Sequence, residues 1–326
     1  MNVLENNELK KRASNSVVDR ICRNWSTKSA VRSGEFKEVP EPFFDIGKRD
    51  FSSRLLPFNN HPDYISLGEK AHRYIETLAW ISWNKRVVDT EELVVTPALA
   101  SLMNGATDIN LQGSSKMVIR QAIVDEYFHS HMHDIAVGLT VRGRNISEDI
   151  VDQLNRPACV YRSYLATANK FEHEWEKNIA RLAWCLVGEL SIYEFLTIVS
   201  SDESIQPASR TLLRLHERDE ASHASLMAQV MKDHFYQLGE KQKQCFVECL
   251  PAAVRGFSQE DWLVWEDILK LAQIDGYRKI ISDVKANNNV PDMLPLTRSF
   301  QRISDFCRDV GIPFKSESEI SQIESF

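Results

Sequence analysis

His216-Glu217-Arg218-Asp219-Glu220-Ala221-Ser222-His223 is the stretch on which the reading of this chain turns. On a helix, residues 216, 220 and 223 stand at i, i+4 and i+7 and point one way. Leu212 and Met227 extend the same stripe. Ligand-type side chains therefore occupy places where a core-facing helix would carry Leu or Ile. Burying a carboxylate and two imidazoles without partners costs several kcal/mol. A bound metal ion removes that cost.

A second run, Asp125-Glu126-Tyr127-Phe128-His129, contains Glu-x-x-His, and its Glu126 and His129 share a face with Ala122, His133 and Ala136. One Glu-x-x-His is weak evidence: with nine histidines in the chain, chance supplies about one. Glu69-Lys70-Ala71-His72 fits the same pattern. It differs in what precedes the glutamate. Asp125 precedes Glu126 and Asp219 precedes Glu220, but Gly68 precedes Glu69. An adjacent Asp suits the free N–H of a ligating imidazole and fixes its tautomer. Glu69 and His72, beside Lys70 and Arg73, read as a solvated helix start.

Two Glu-x-x-His helices call for two partner helices, each giving one Glu, which is the ligand rule of ferritin-like di-iron carboxylate bundles. On the first, Glu91 shares an apolar face with Val87, Val94 and Ala98, whereas Glu92 falls about 100° round the helix, so Glu91 is the better ligand. On the other, Glu189 is the lone charge between Leu182 and Tyr193; the competing reading is a buried Glu paired with a local Arg. Carboxylates with imidazoles suit iron or manganese, while zinc more often takes Cys or a three-ligand His set. Cys185, one turn before Glu189, reads as core.

The rest of the chain bounds the possibilities. Its 326 residues, 43% hydrophobic, can bury one large core or two domains sharing an interface. The formal net charge of −7 offers no basic footprint for nucleic acid. The opening MNVLENNELKKR has no apolar h-region, and no apolar run is expected to span a membrane. Six scattered cysteines form no CxxC pair; Cys245 and Cys249, one turn apart, read as buried or half-buried thiols. A cytoplasmic home with reduced thiols follows, so Asn145-Ile146-Ser147 is only a loop.

Few glycines and prolines interrupt long 3.6-period patterns, and no alternating strand run stands out. Residues 1–60, with Pro40, Pro42, Phe43, Phe44, Pro57 and Phe58, read as a wrapping arm, and 61–326 as one ferritin-like di-iron domain. Helical patterns run from about Ser66 to Met103 (Val94 and Val95 included), Ser114 to Leu139, Ala158 to Val199 with one break, and Pro207 to Leu238. Ser and Asp just upstream of Pro207 are cap candidates. The polar stretch VRGRNISEDIVDQLNRP reads as a loop. Two or three more helices fill 240–310, including an amphipathic stretch Glu260–Lys285.

The order and spacing resemble the p-aminobenzoate N-oxygenases, the AurF-like di-iron oxygenases. That family's pattern is a Glu, a Glu-x-x-His, a Glu and then His-x-x-x-Glu-x-x-His. Here Glu91 precedes Glu126 by 35 residues and Glu189 precedes His216 by 27. His216 is the specific mark, because related ferritin-like cages use six protein ligands and it makes a seventh. The resemblance covers residues 85–225 firmly. It implies an all-α ferritin-like helical bundle with extra N- and C-terminal helices, and two iron ions held by Glu91, Glu126, His129, Glu189, His216, Glu220 and His223, with Asp125 and Asp219 behind them. It further implies O2 as co-substrate, a homodimer, and an outside electron donor such as a reductase or ferredoxin. The amine substrate would be aryl or aliphatic, free or carrier-tethered, and oxidised to the hydroxylamine, nitroso or nitro level in natural-product or signal biosynthesis. A di-iron oxygenase or oxidase acting on carbon, and a non-catalytic iron-binding subunit, remain as rivals. Arg298 and Arg302, one turn apart, read as an exposed charged face before a substrate-carboxylate site, and Tyr193 as a hydrogen-bonded core tyrosine.

Overall fold

The computed structural model describes residues 17–38, 44–286 and 296–312. Pro40, Pro42 and Phe43 lie outside the described residues. After a first helix α1 (residues 17–28), the first long pattern folds as α2 (Glu69–Thr90), passes through one π-helical turn at Glu91–Val95, and continues as α3 (Thr96–Asn104). Pro97 accounts for that turn. It has no N–H for the carbonyl one turn back, and its ring crowds that carbonyl. The helix opens by one residue, and the Thr96 N–H reaches the Glu91 carbonyl instead. A uniform 3.6 period through Val94 and Val95 is therefore corrected.

Helix α4 (Gly113–Arg144) runs past Leu139 and stops where Asn145 takes a left-handed φ of 54°. Part of the stretch expected as a loop is helical, Glu148–Gln153, with two acids in its first turn. The third pattern breaks once, into α5 (Cys159–Ala168) and α6 (Glu174–Ser200). Helix α7 (Pro207–His234) starts at its proline, but Gln206 holds the cap position with its side chain bonded to the backbone of Asp45 rather than to the helix, and Asp202 and Ser204 bond each other. Among the described residues four helices then follow: α8 (Glu240–Ser258), α9 (Trp262–Leu271), α10 (Tyr277–Ala286) and α11 (Leu296–Asp309). The Glu260–Lys285 pattern is split because Gln273 and Gly276 take φ of 55° and 72°. Among the described residues there is no strand, only an isolated bridge between Arg49 and Ile205.

Helices α2, α4, α6 and α7 pack round one axis, α6 most extensively against α7 and α8. Contrary to the sequence expectation, α6 is long and apolar enough to cross a membrane, but 71% of that window is buried inside the bundle. A helix apolar on all sides suits the centre of a large core. The core falls into two apolar clusters, and each central helix changes cluster at a polar position: between Val87 and Val94, between Ala122 and Met132, between Leu190 and Leu196, and between Leu215 and Ala224. On α2, α4 and α7 those intervals hold titratable residues, and on α6 Glu189 stands just before the change.

Close packing in one of these clusters is testable. A Cβ at Gly256 of α8 would collide with the six-membered ring of Trp184, which is fully buried. Gly256→Ala is expected to cost about 1–3 kcal/mol by overpacking, seen as a lower denaturant midpoint. An unchanged midpoint would show that the indole has room to move.

Candidate metal centre

Seven side chains converge in the layer between the two clusters. Glu91 (at the start of the π turn), Glu126 and His129 (α4), Glu189 (α6), and His216, Glu220 and His223 (α7) are each at most 4% exposed. Glu92 points outward, so burial separates the two candidates of the first helix. Ligand-type atoms of Glu91, His129, His216 and Glu220 all lie within 4.8 Å of one another, as do those of Glu126, His129, Glu220 and His223. Glu189 joins through His223 Nδ1 at 3.8 Å. Glu126 spans the two groups, turning Oε2 to His129 Nδ1 at 3.1 Å and Oε1 to His223 Nδ1 at 2.9 Å. Glu220 Oε1 stands 3.3, 3.1 and 3.4 Å from His129, His216 and His223. Glu69, by contrast, pairs with Arg49 and Arg73, and half-buried His72 bonds the carbonyl of Tyr64.

Among the described residues no Lys or Arg pairs with any of the seven. Glu126 Oε1, Glu189 Oε2 and His223 Nδ1 are buried without a hydrogen-bond partner, although they face one another. Their inward aim, and a donor set of four carboxylates and three imidazoles, fit two hard divalent cations.

Protons supply the balancing charge when no cation does. Burial, with the charges of Glu126 and Glu220, pushes Glu91 and Glu189 well above the usual carboxylate range. Burial also opposes ionisation of Glu126, but the charge of His223 and the ring N–H of His129 overcome it and draw it down to about 2. Glu220 is likewise held well below its usual value. Burial disfavours charge on His129 and His223, yet the surrounding carboxylates raise both. Protons on Glu91 and Glu189, and second protons on His129 and His223, thus stand in for two divalent charges.

The two aspartates do hold ring N–H groups, but crosswise. Asp125 accepts from His223 Nε2 and Asp219 from His129 Nε2, each at 3.3 Å. Each Asp thereby serves the histidine of the other helix and leaves Nδ1 facing inward. His216 is turned the other way round. Asn84 donates to the Trp80 carbonyl at 2.7 Å, so its Oδ1 accepts from His133 Nδ1 at 2.7 Å. Burial holds His133 neutral. Its Nε2 must then accept from His216 Nδ1, 2.9 Å away, which leaves the His216 Nε2 lone pair facing Glu91 and Glu220. Sequence reasoning placed His133 on the ligand face without a role and missed Asn84. The available signal was Asn84 at i−7 from Glu91, a buried amide in an apolar stripe.

A cavity of about 170 Å³ opens beside Glu91, walled by Trp83, Val87, Phe195 and Phe257. Arg86 lines it, and its Nε is buried without a hydrogen-bond partner. Arg302 lines a different cleft, with its guanidinium 5.4 Å from the centre of the Tyr193 ring. Both residues are half-buried, which corrects the exposed reading of Arg302 and the core reading of Tyr193. The side chain of Arg298 lies outside the described residues. Cys185 is fully buried, its thiol pushed up by burial.

Comparison with known proteins adds two findings. Residues 11–311 match the family model described as p-aminobenzoate N-oxygenase AurF. A 4-aminobenzoate N-oxygenase from Streptomyces thioluteus is 30% identical over 274 residues, which cover 83% of this chain and 80% of that protein.

Two outcomes are expected of this site. His133→Phe removes the acceptor for His216 and should weaken metal binding by about 10–100-fold, read by competition against a chelator; unchanged affinity would make the Asn84–His133 pair irrelevant to the metal. Metal uptake should also release protons, because Glu91, Glu189, His129 and His223 hold them when no metal is bound. Affinity therefore falls as pH falls. Calorimetry in two buffers of different ionisation enthalpy measures the release, and a buffer-independent heat would contradict it.

Proposed function

Since the chain belongs to the AurF family of p-aminobenzoate N-oxygenases, we propose that it uses O2 and two iron ions to oxygenate the nitrogen of an arylamine. What carries the reading is the cage of four carboxylates and three imidazoles, buried with no Lys or Arg partner among the described residues. Glu91, His129 and His216 would hold one ion, and Glu189 and His223 the other. Glu126 and Glu220, which face imidazoles of both groups, would lie between them. When bound as ferrous ions, the pair supplies the electrons that activate O2.

The protein's own residues do the rest. Four carboxylates balance the charge of two divalent ions, and a third imidazole enriches one side in nitrogen donors. Asp125 and Asp219 keep protons on the Nε2 atoms of His223 and His129, and His133 keeps one on Nδ1 of His216, so each ring turns a lone pair inward. The apolar clusters above and below exclude water, which strengthens every charge interaction inside.

The substrate cavity supports an arylamine with an anionic substituent. Trp83, Phe195 and Phe257 offer ring faces and edges, and the unpartnered Nε–H of Arg86 offers a charged donor. The Streptomyces thioluteus relative is named for 4-aminobenzoate, which has both groups. The protein would act as a homodimer in the cytoplasm. Met117, Val124 and Tyr127, all exposed on one face of α4, support pairing of two copies. Oxygenation also needs an outside electron donor.

Aerobic incubation of the reduced, iron-loaded protein with an amine panel, read by mass spectrometry, should give products with oxygen added at nitrogen. Oxygen consumed with no such product, or zinc in place of iron, would overturn the reading. Arg86→Gln should weaken use of 4-aminobenzoate by about tenfold or more, the worth of one charged hydrogen bond, while aniline is little affected. His129→Ala should lose at least one iron per chain and His72→Ala none.

A further inference from the structure

The N-terminal arm reaches the metal cage from outside. Trp25 Nε1–H donates to both oxygens of Asp125, at 2.9 and 2.8 Å, and Ser29 Oγ–H donates to Asp125 Oδ1 at 2.5 Å. Asp125 accepts from His223 Nε2 at 3.3 Å. Two hydrogen bonds thus connect a half-buried indole to an imidazole of the cage. Ser29 already gives Asp125 a donor, so satisfying the carboxylate does not by itself call for a large aromatic ring at this surface.

The charge around Trp25 is opposite in sign to that of the whole chain. Residues 17–33 carry Arg20, Arg23, Lys28 and Arg32 against a single acid, Asp19, in a chain of net charge −7. All four cations are exposed. Asp19 is occupied by Ser114. The Arg32 guanidinium lies 5.7 Å from the centre of the Trp25 ring, and Lys28 lines the same cleft as Trp25, Asp125 and His223. The nearest further acid of the arm, Glu35, is paired with Arg218.

We propose that this basic face docks an acidic one-electron carrier protein, and that Trp25 and Asp125 conduct its electrons to the cage at His223. The inference rests on the di-iron reading of the site. Each reduced carrier gives up one electron, and two carriers in turn take the centre from two ferric to two ferrous ions. No bond is made or broken, and the indole and carboxylate bridge the path without changing oxidation state. Opposite charge steers such encounters, and redox interfaces are characteristically small and transient.

The test uses a reduced, acidic [2Fe–2S] ferredoxin as the probe. Calorimetry on the full metal-free chain should show binding that weakens as salt rises. Combined Arg20→Glu, Arg23→Glu and Lys28→Glu should weaken it by about tenfold or more at low salt. Stopped-flow absorbance of the iron-loaded protein should show Trp25→Phe accepting electrons from ferredoxin several-fold more slowly than wild type. The same variant should bind ferredoxin as wild type does and be reduced by dithionite at the wild-type rate, which separates the electron path from any loss of fold or iron. Unchanged ferredoxin binding after charge reversal, or a wild-type rate in Trp25→Phe, would overturn the inference. Amine oxygenation driven by dithionite would then leave the proposed function standing. Electrons delivered normally with no amine oxygenated would instead refute that function and leave the docking face in place.

Discussion

Four carboxylates and three imidazoles lie inside a helical core with no basic side chain among the described residues to answer them. Unpaired charge in an apolar interior costs many kcal/mol, so this cluster must be neutralised by something other than Lys or Arg. Without metal, protons on Glu91 and Glu189 and imidazolium at His129 and His223 balance it. Two divalent cations achieve the same balance and also satisfy the orphaned Glu126 Oε1, Glu189 Oε2 and His223 Nδ1. The packing of the bundle follows from that demand. Each central helix gives apolar residues to one cluster, crosses the polar layer, and gives apolar residues to the other.

The same demand explains why the surroundings of these seven side chains are so fully specified. An imidazole serves a cation only if its inward nitrogen is unprotonated, and a buried ring offers two ways to be wrong. Asp125 and Asp219 settle the matter for His223 and His129, and the neutral His133, fixed by Asn84, settles it for His216. The crosswise pairing of the aspartates also ties α4 to α7 through charge-assisted hydrogen bonds. At Glu91 the adjustment is made in the backbone, where the π turn begins at the glutamate itself.

Segments remote in sequence complete the outer layer. Asp125 receives Trp25 and Ser29, and Asp219 receives the backbone N–H of Ala30 at 2.9 Å. Residues 25–30 therefore close the cage behind His223 and His129, while the cavity opens beside Glu91.

By itself, the sequence determined the all-helical class, the four central helices and the seven side chains that the bundle gathers. It could do so because 3.6 residues per turn decides which side chains share a stripe, and polar residues on an otherwise apolar stripe have few bland explanations. It also separated Glu126 and His129 from Glu69 and His72. Only the tertiary structure decided which helix each aspartate serves, that His133 and Asn84 stand behind His216, and that Trp25 abuts Asp125. Those contacts join residues 49 to 100 positions apart, and no local period relates such positions. The π turn was closer to legible, since Pro97 inside a helical pattern signals a lost hydrogen bond; its consequence for Glu91 depended on the packing. The length of α6 was ambiguous in principle, because an apolar helix at the centre of a bundle and one in a membrane satisfy the same hydropathy. Its neighbours, and the buried Glu189 that they surround, resolve it.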